Sequence, residues 1–431
     1  MVGDGSGLRF PADANALRDG GIRFLTEAFH GYGSLPADNE VIGITECEEV
    51  GGGSTGRKML LTVGYRTPGP HRELFVKFSR DFDDPQRDHG RTQMAQEIAF
   101  ARLSRADRFP VAVPTVLLAD YHRASGTGVL ITERIPFGRN GIEVQYDKCM
   151  DYAMPDQLGH YRAVLSAVAR LAGTHAAGRI PNDLSADMEQ LSVGERPLLD
   201  AGRLHRRVDR LTDFTDACPG LLPANVRSPA FLSQLRADLP RLLECEPEVW
   251  RTLRERTDFT ALCHWNANVD NAWFWRDTKG VLQCGLMDWG SVGQMNVAMA
   301  IWGAMCSAET RLWDQHLVDL LNLFADEFRA CGGPVLDVGV LAKHVVLYAS
   351  VMGLTWLLDV PGYVRSQAPD LTAESTRMDP AIRDVESVRC RLQMLTNVLN
   401  LWQTHDLGRL LDEFAWRRAH DFASKIAGRR V

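Results

Sequence analysis

Between residues 41 and about 135 the sequence reads as strands, and beyond residue 138 it reads almost entirely as helices. That switch limits the fold more than any other feature. The segments "VIGITECEEV", "KMLLTVGYRT" and "ELFVKF", then "PTVLLADYH" and "GTGVLITERI", cluster β-branched and apolar residues between turn signals such as "TPGPH". One interruption, "MAQEIAFARL", places Met94, Ile98 and Ala101 at helical spacing. After "IPFG", the segment "HYRAVLSAVARLAGTHAAG" predicts a long amphipathic helix stopped at Gly178. The expected architecture is α+β: an N-terminal extension with a helix (1–40), a small antiparallel-sheet lobe with one helix (41–137), and a large, mainly helical lobe (138–431). Within the last, residues 179–250 read as a helical insertion rich in Pro, and 264–290 as strand-flanked loops.

At 431 residues the chain is long for one compact core, which agrees with two lobes. A net charge of −7 argues against a nucleic-acid binder or a protein held to an anionic membrane, since both need a basic face. The nine cysteines include no CxxC pair, so they are read as reduced thiols and a structural zinc site is not expected. No basic segment followed by an apolar core opens the sequence, and the expected location is cytoplasmic. The longest apolar run, Val345 to Leu358, is shorter than the roughly 20 residues that span a bilayer and is expected to be a core helix.

Several segments carry chemistry. In "VGGGSTGRKMLLTV" the backbone around Gly52, Gly53 and Ser54 can approach phosphate oxygens because no Cβ intervenes. Gly56 is followed by Arg57 and a strand pattern, so a P-loop and a dinucleotide fold, which both open a helix here, are set aside. A strand–loop–strand flap over phosphates remains, beside the plainer reading of a hairpin turn. One strand later comes Lys77, and 20 positions on, Glu97 lies on the expected helix. Such a pair can fix a cation on α- and β-phosphates; the alternative is a solvent-facing Lys and an exposed helix Glu. "VLITERIPFG" reads as a buried strand leading to a turn, and in a two-lobed nucleotide enzyme its backbone groups near Glu133 to Ile135 can bond adenine. In "HWNANVDN" and "GLMDWG", Asn271 and Asp288 offer oxygen ligands suited to Mg²⁺, and His264 can organise the loop by hydrogen bonds. A zinc hydrolase built on His264, Asp270 and Asp288 lacks HExxH or comparable His spacing.

This ordered set resembles the aminoglycoside phosphotransferase and choline kinase-like superfamily over roughly residues 40 to 305. The resemblance implies a bilobal protein-kinase-like fold and transfer of the γ-phosphoryl group of ATP to a small-molecule hydroxyl, with Mg²⁺. The family's catalytic loop usually reads His-Gly-Asp, four variable residues, then Asn. Here His264 and Asn271 match, Trp265 replaces the Gly, and Asn266 replaces the Asp that accepts the hydroxyl's proton. Asp288 matches the metal-binding Asp, and Asn296 stands near a place where members often carry an acid.

Asn can hydrogen-bond but cannot take a proton, and general-base help is worth about 10²–10⁴-fold. Three outcomes follow. Asp270 acts as a displaced base, the acceptor carries an already ionised oxygen, or the protein is a pseudokinase that binds nucleotide and metabolite without turnover. The acceptor would be lined by parts of 179–250 and 298–400, where Trp302, Trp313, Tyr348, Trp356 and Tyr363 form either a pocket or core.

Overall fold

The computed structural model describes residues 1–51, 56–85, 87–180 and 199–414. Its strands are β1 (Val41–Val50), β2 (Arg57–Tyr65), β3 (Glu73–Phe78), β4 (Val116–His122), β5 (Thr127–Glu133), β6 (Thr260–His264), β7 (Ala272–Arg276), β8 (Leu282–Leu286) and β9 (Val292–Asn296). The helices are α1 (Ala14–Tyr32), α2 (Arg87–Leu103), α3 (Gln157–Ala176), α4 (Ala201–Ala217), α5 (Pro229–Glu255), α6 (Val297–Met305), α7 (Thr310–Ala330), α8 (Val338–Thr355), α9 (Val360–Gln367), α10 (Pro380–Arg383) and α11 (Glu386–Thr404). The fold class is α+β, as expected. Two compact units divide the chain. The first comprises Met1–Gln145, Gly178–Ala186 and Asn271–Gly293, and the second comprises Tyr146–Ala177, Asp187–Asp270 and Gln294–Val431.

In the first unit the five expected strands form one antiparallel sheet in the order β1-β2-β3-β5-β4. Period-2 alternation gives the sheet two apolar faces. Leu74, Val76 and Phe78 of β3 join the cluster under α1, with Leu17, Leu25 and Phe29. The other face, with Val116, Ala119 and Leu130, packs on Met94, Ile98 and Ala101 of α2. The N-terminal helix is therefore part of this unit's core. Its first turn is capped by Asp13, whose carboxylate accepts the Ala16 N–H, and it ends at Gly33 in the left-handed conformation. The β7–β8 hairpin, which the sequence reading groups with the later helices, also falls in this unit.

The second unit is helical. Every residue of α6 is buried. Helix α8 is apolar and long enough by composition alone to cross a membrane, but 72% of it is buried inside the fold. Helix α5 runs unbroken through Pro240 and Pro247 within the segment read as an insertion, part of which (181–198) lies outside the described residues. Trp302, Trp313 and Tyr348 are core side chains, with the two indoles 5.6 Å apart. The Tyr363 ring is instead covered by the Arg391 guanidinium, 3.9 Å from its centroid. All nine cysteines are free thiols.

Candidate active site

Lys77 lies on a central strand, opposite Lys58 on one side and Leu130 on the other. Because its neighbours Val76 and Phe78 face α1, alternation turns Lys77 and Leu130 toward α2. Glu97 waits there, three residues after Met94 and one before Ile98. The Lys77 ammonium donates to Glu97 Oε2 at 2.6 Å and to Asp288 Oδ1 at 2.7 Å. The Lys77 and Glu97 side chains are 2% and 6% exposed, whereas that of Asp288 is 34% exposed. Burial alone would lower the Lys77 pKa, but the charges of Asp288 and Glu97 outweigh it and hold the ammonium above its usual range. Burial also pushes the Glu97 carboxyl up, against the pull of Lys77.

Asp288 is placed by its hairpin and by α2. Ala272 pairs with Leu286, and the Met287 N–H donates to the Asn271 carbonyl at 2.9 Å. Asn271 thus begins one arm of the hairpin and Asp288 ends the other, one residue past the last rung. Asp288 adopts a left-handed conformation (φ 59°, ψ 62°), which Asp tolerates better than most side chains. The next residue, Trp289, stacks on Phe100 with ring centroids 3.8 Å apart and donates its indole N–H to the Leu286 carbonyl. Glu97 and Phe100 are three residues apart on one face of α2, so a single helical turn grips Lys77 and braces the Asp288 corner.

Gly52, Gly53 and Ser54 lie outside the described residues. At the end of β5, the Glu133 and Arg134 N–H groups are committed to the carbonyls of Thr115 and Glu73, both at 2.9 Å. The Ile135 carbonyl accepts from Phe137, and among the described residues no acceptor meets the Ile135 N–H. The Glu133 carboxylate is tied to Thr115 and to His71.

In the second unit, fully buried His264 accepts the Asn266 N–H on Nδ1 at 3.2 Å. The Asn266 side-chain oxygen accepts from Lys148 Nζ at 3.2 Å and from Asn268 Nδ2 at 2.6 Å. An ammonium only donates, so the group facing Lys148 is the carbonyl. Asn268 is held in turn by the Ser307 hydroxyl at 2.6 Å. Burial opposes the Lys148 charge, but the Asp270 carboxylate prevails and raises the Lys148 pKa. Trp265 donates its indole N–H to Tyr348 Oη at 2.8 Å. Its backbone carbonyl lies against Gly303, where a Cβ would overlap it. Asn296 caps α6 by accepting the Ala298 N–H and donates to the Leu253 carbonyl. Its side-chain nitrogen is also 3.1 Å from His344 Nδ1, a ring that burial keeps neutral with a pKa of about 4.

Two features escaped the sequence reading. Lys148, in "YDKCMD", has no local signal, because its partner is 118 residues away. Asp151, fully buried, accepts from the Tyr161 hydroxyl at 2.7 Å on one oxygen, while its other oxygen has no hydrogen-bond partner. Burial raises its pKa to about 7. Among the described residues no three His, Cys, Asp or Glu side chains are grouped to hold a metal.

No protein-family profile and no curated protein matches the sequence. Solved structures do. The chain is similar to a choline kinase from Cryptosporidium parvum Iowa II at 12% identity and a TM-score of 0.45, covering 86% of this chain and 93% of that one. It is similar to a microcompartment-associated aminopropanol kinase at 13% identity and 0.40, over 87% and 99%. An aminoglycoside-3′-phosphotransferase of type VIII gives 22% identity and 0.35, over 70% and 92%.

Proposed function

We propose that the chain is a cytoplasmic, ATP- and Mg²⁺-dependent phosphotransferase acting on a small-molecule acceptor. The observation that carries this reading is the buried Lys77–Glu97 pair joined to the partly exposed Asp288 at the end of the hairpin that also bears Asn271. Two carboxylates around one ammonium leave a net negative charge, and the oxygen-only donors Asp288 and Asn271 suit a hard cation such as Mg²⁺. The bound cation would supply neutralising charge for the phosphates. Lys77 would hold the α- and β-phosphates with Glu97 fixing its position, and the Ile135 N–H is a donor for adenine.

The acceptor step departs from ordinary hydroxyl chemistry. Asn266 turns its carbonyl to Lys148 and can take no proton, so it positions without acting as a base. The Asp270 carboxylate serves as counter-charge to Lys148, which disfavours it as a displaced base. An acceptor with an already ionised oxygen needs neither. That oxygen bonds to Pγ, the Pγ–O bond to ADP breaks, ADP leaves with the electron pair, and no proton is removed. The same Asn266–Lys148 contact favours a second reading, a pseudokinase that binds nucleotide without turnover.

Calorimetry tests the nucleotide binding that both readings share. Mg²⁺-dependent ATP binding is expected in the native chain and lost in Asp288→Ala; heatless titration of the native chain would sink both readings. Turnover against hydroxyl, carboxyl and amine metabolites then distinguishes enzyme from pseudokinase.

A further inference from the structure

The second unit contains a cavity of about 250 Å³ with three guanidinium groups in its lining, Arg377, Arg383 and Arg389. Two of them are paired: Arg377 with the Glu309 carboxylate at 2.9 Å, and Arg383 with Asp384 at 2.7 Å. Arg389 is not. Its Nε donates to the Lys148 carbonyl at 2.9 Å and its Nη1 to the Arg383 carbonyl at 3.0 Å, and among the described residues no carboxylate meets it. It is half-buried and bonded to no carboxylate, although its charge is felt by Asp384, and it keeps donors left over on a planar fork that matches carboxylate or phosphate oxygens. Leu221, Ile382 and Leu392 supply apolar wall.

We propose that this cavity binds the anionic group, carboxylate or phosphate, of the acceptor, with Arg389 as the specificity-determining residue. The proposal rests on the phosphotransferase reading for the word acceptor. One residue joins the two places: Arg389 donates to the backbone carbonyl of Lys148, and the ammonium of Lys148 donates to Asn266. A basic cavity selects against the cationic amines that an acidic one would attract.

The test titrates succinate, citrate and inorganic phosphate, with choline as the cationic control, into the full chain at fixed ionic strength. Mg·ATP is titrated separately. At least one anion is expected to bind in preference to choline. Arg389→Gln is expected to weaken it tenfold or more while leaving Mg·ATP binding unchanged. Because Arg389 also bridges two carbonyls, Arg377→Gln, which loses the Glu309 pair and the contact with the Tyr152 ring but no backbone carbonyl, serves as a second variant and should weaken the anion severalfold. Equal anion affinity in both variants, preference for choline, or no binding of any anion at 10-millimolar order would overturn the proposal. Anion binding in a chain that does not bind Mg·ATP would keep the pocket and remove its acceptor role, so the two failures are distinct.

Discussion

Replacing Lys77 with Met leaves the Glu97 carboxylate buried without its cation. Lys77 and Glu97 are 2% and 6% exposed, so solvent cannot take over the pairing, and removing one partner of such a pair costs about 3–5 kcal/mol. Asp288 is a third exposed and adds little to that figure. For a unit of this size, about 4 kcal/mol lowers Tm by roughly 8–16 °C. The sign of the pH dependence follows from Glu97. Its pKa is already raised in the folded chain, and loss of Lys77 raises it further. A raised carboxyl favours folding below its unfolded value and loses that contribution as pH rises through its folded value. The penalty should therefore shrink on acidification, by up to about 1.4 kcal/mol per pH unit while the folded group stays protonated and the unfolded one ionised. Thermal or urea melts of both proteins at pH 5 and pH 8 read this without knowledge of the acceptor. A penalty equal at both pH values, or larger at pH 5, would refute the argument.

Other perturbations follow from the second unit. Gly303→Ala drives a Cβ into the Trp265 carbonyl and should cost about 1–3 kcal/mol in urea unfolding, since backbone and not a flexible side chain must yield. Asp151→Asn should flatten the stability profile between about pH 4 and 7, where the native carboxyl is protonated folded but ionised unfolded; an unchanged profile counts against its burial. Asn266→Asp places a carboxylate against Lys148, which lowers its pKa and basicity, so any gain in transfer to hydroxyl acceptors should fall well short of about 10²-fold unless Lys148→Met is added.

The sheet, α2 and the Lys77–Glu97 pair were legible in the sequence because alternation and helical spacing are local signals, and facing positions on β3 and α2 follow from them. The segment 179–250 was not legible. Pro240 and Pro247 break the helical pattern on paper, yet α5 continues through both because Leu235, Leu239, Leu242 and Val249 are buried along it. Lys148 and the Phe100–Trp289 stack were invisible for another reason. Each depends on a contact made more than a hundred residues away, and no spacing encodes it. Asn266 stands out in the sequence as a substitution, but its meaning depends on the lysine it faces.

Helix α2 presents Glu97 and Phe100 from one turn, and this has an evolutionary consequence. A small rotation or slip of that turn would disengage the ion pair and the aromatic brace together. Neither can drift independently, so changes at 97, 100 and 289 should be inherited as a block. A lineage that loses one of the three would be expected to lose the other two in close succession.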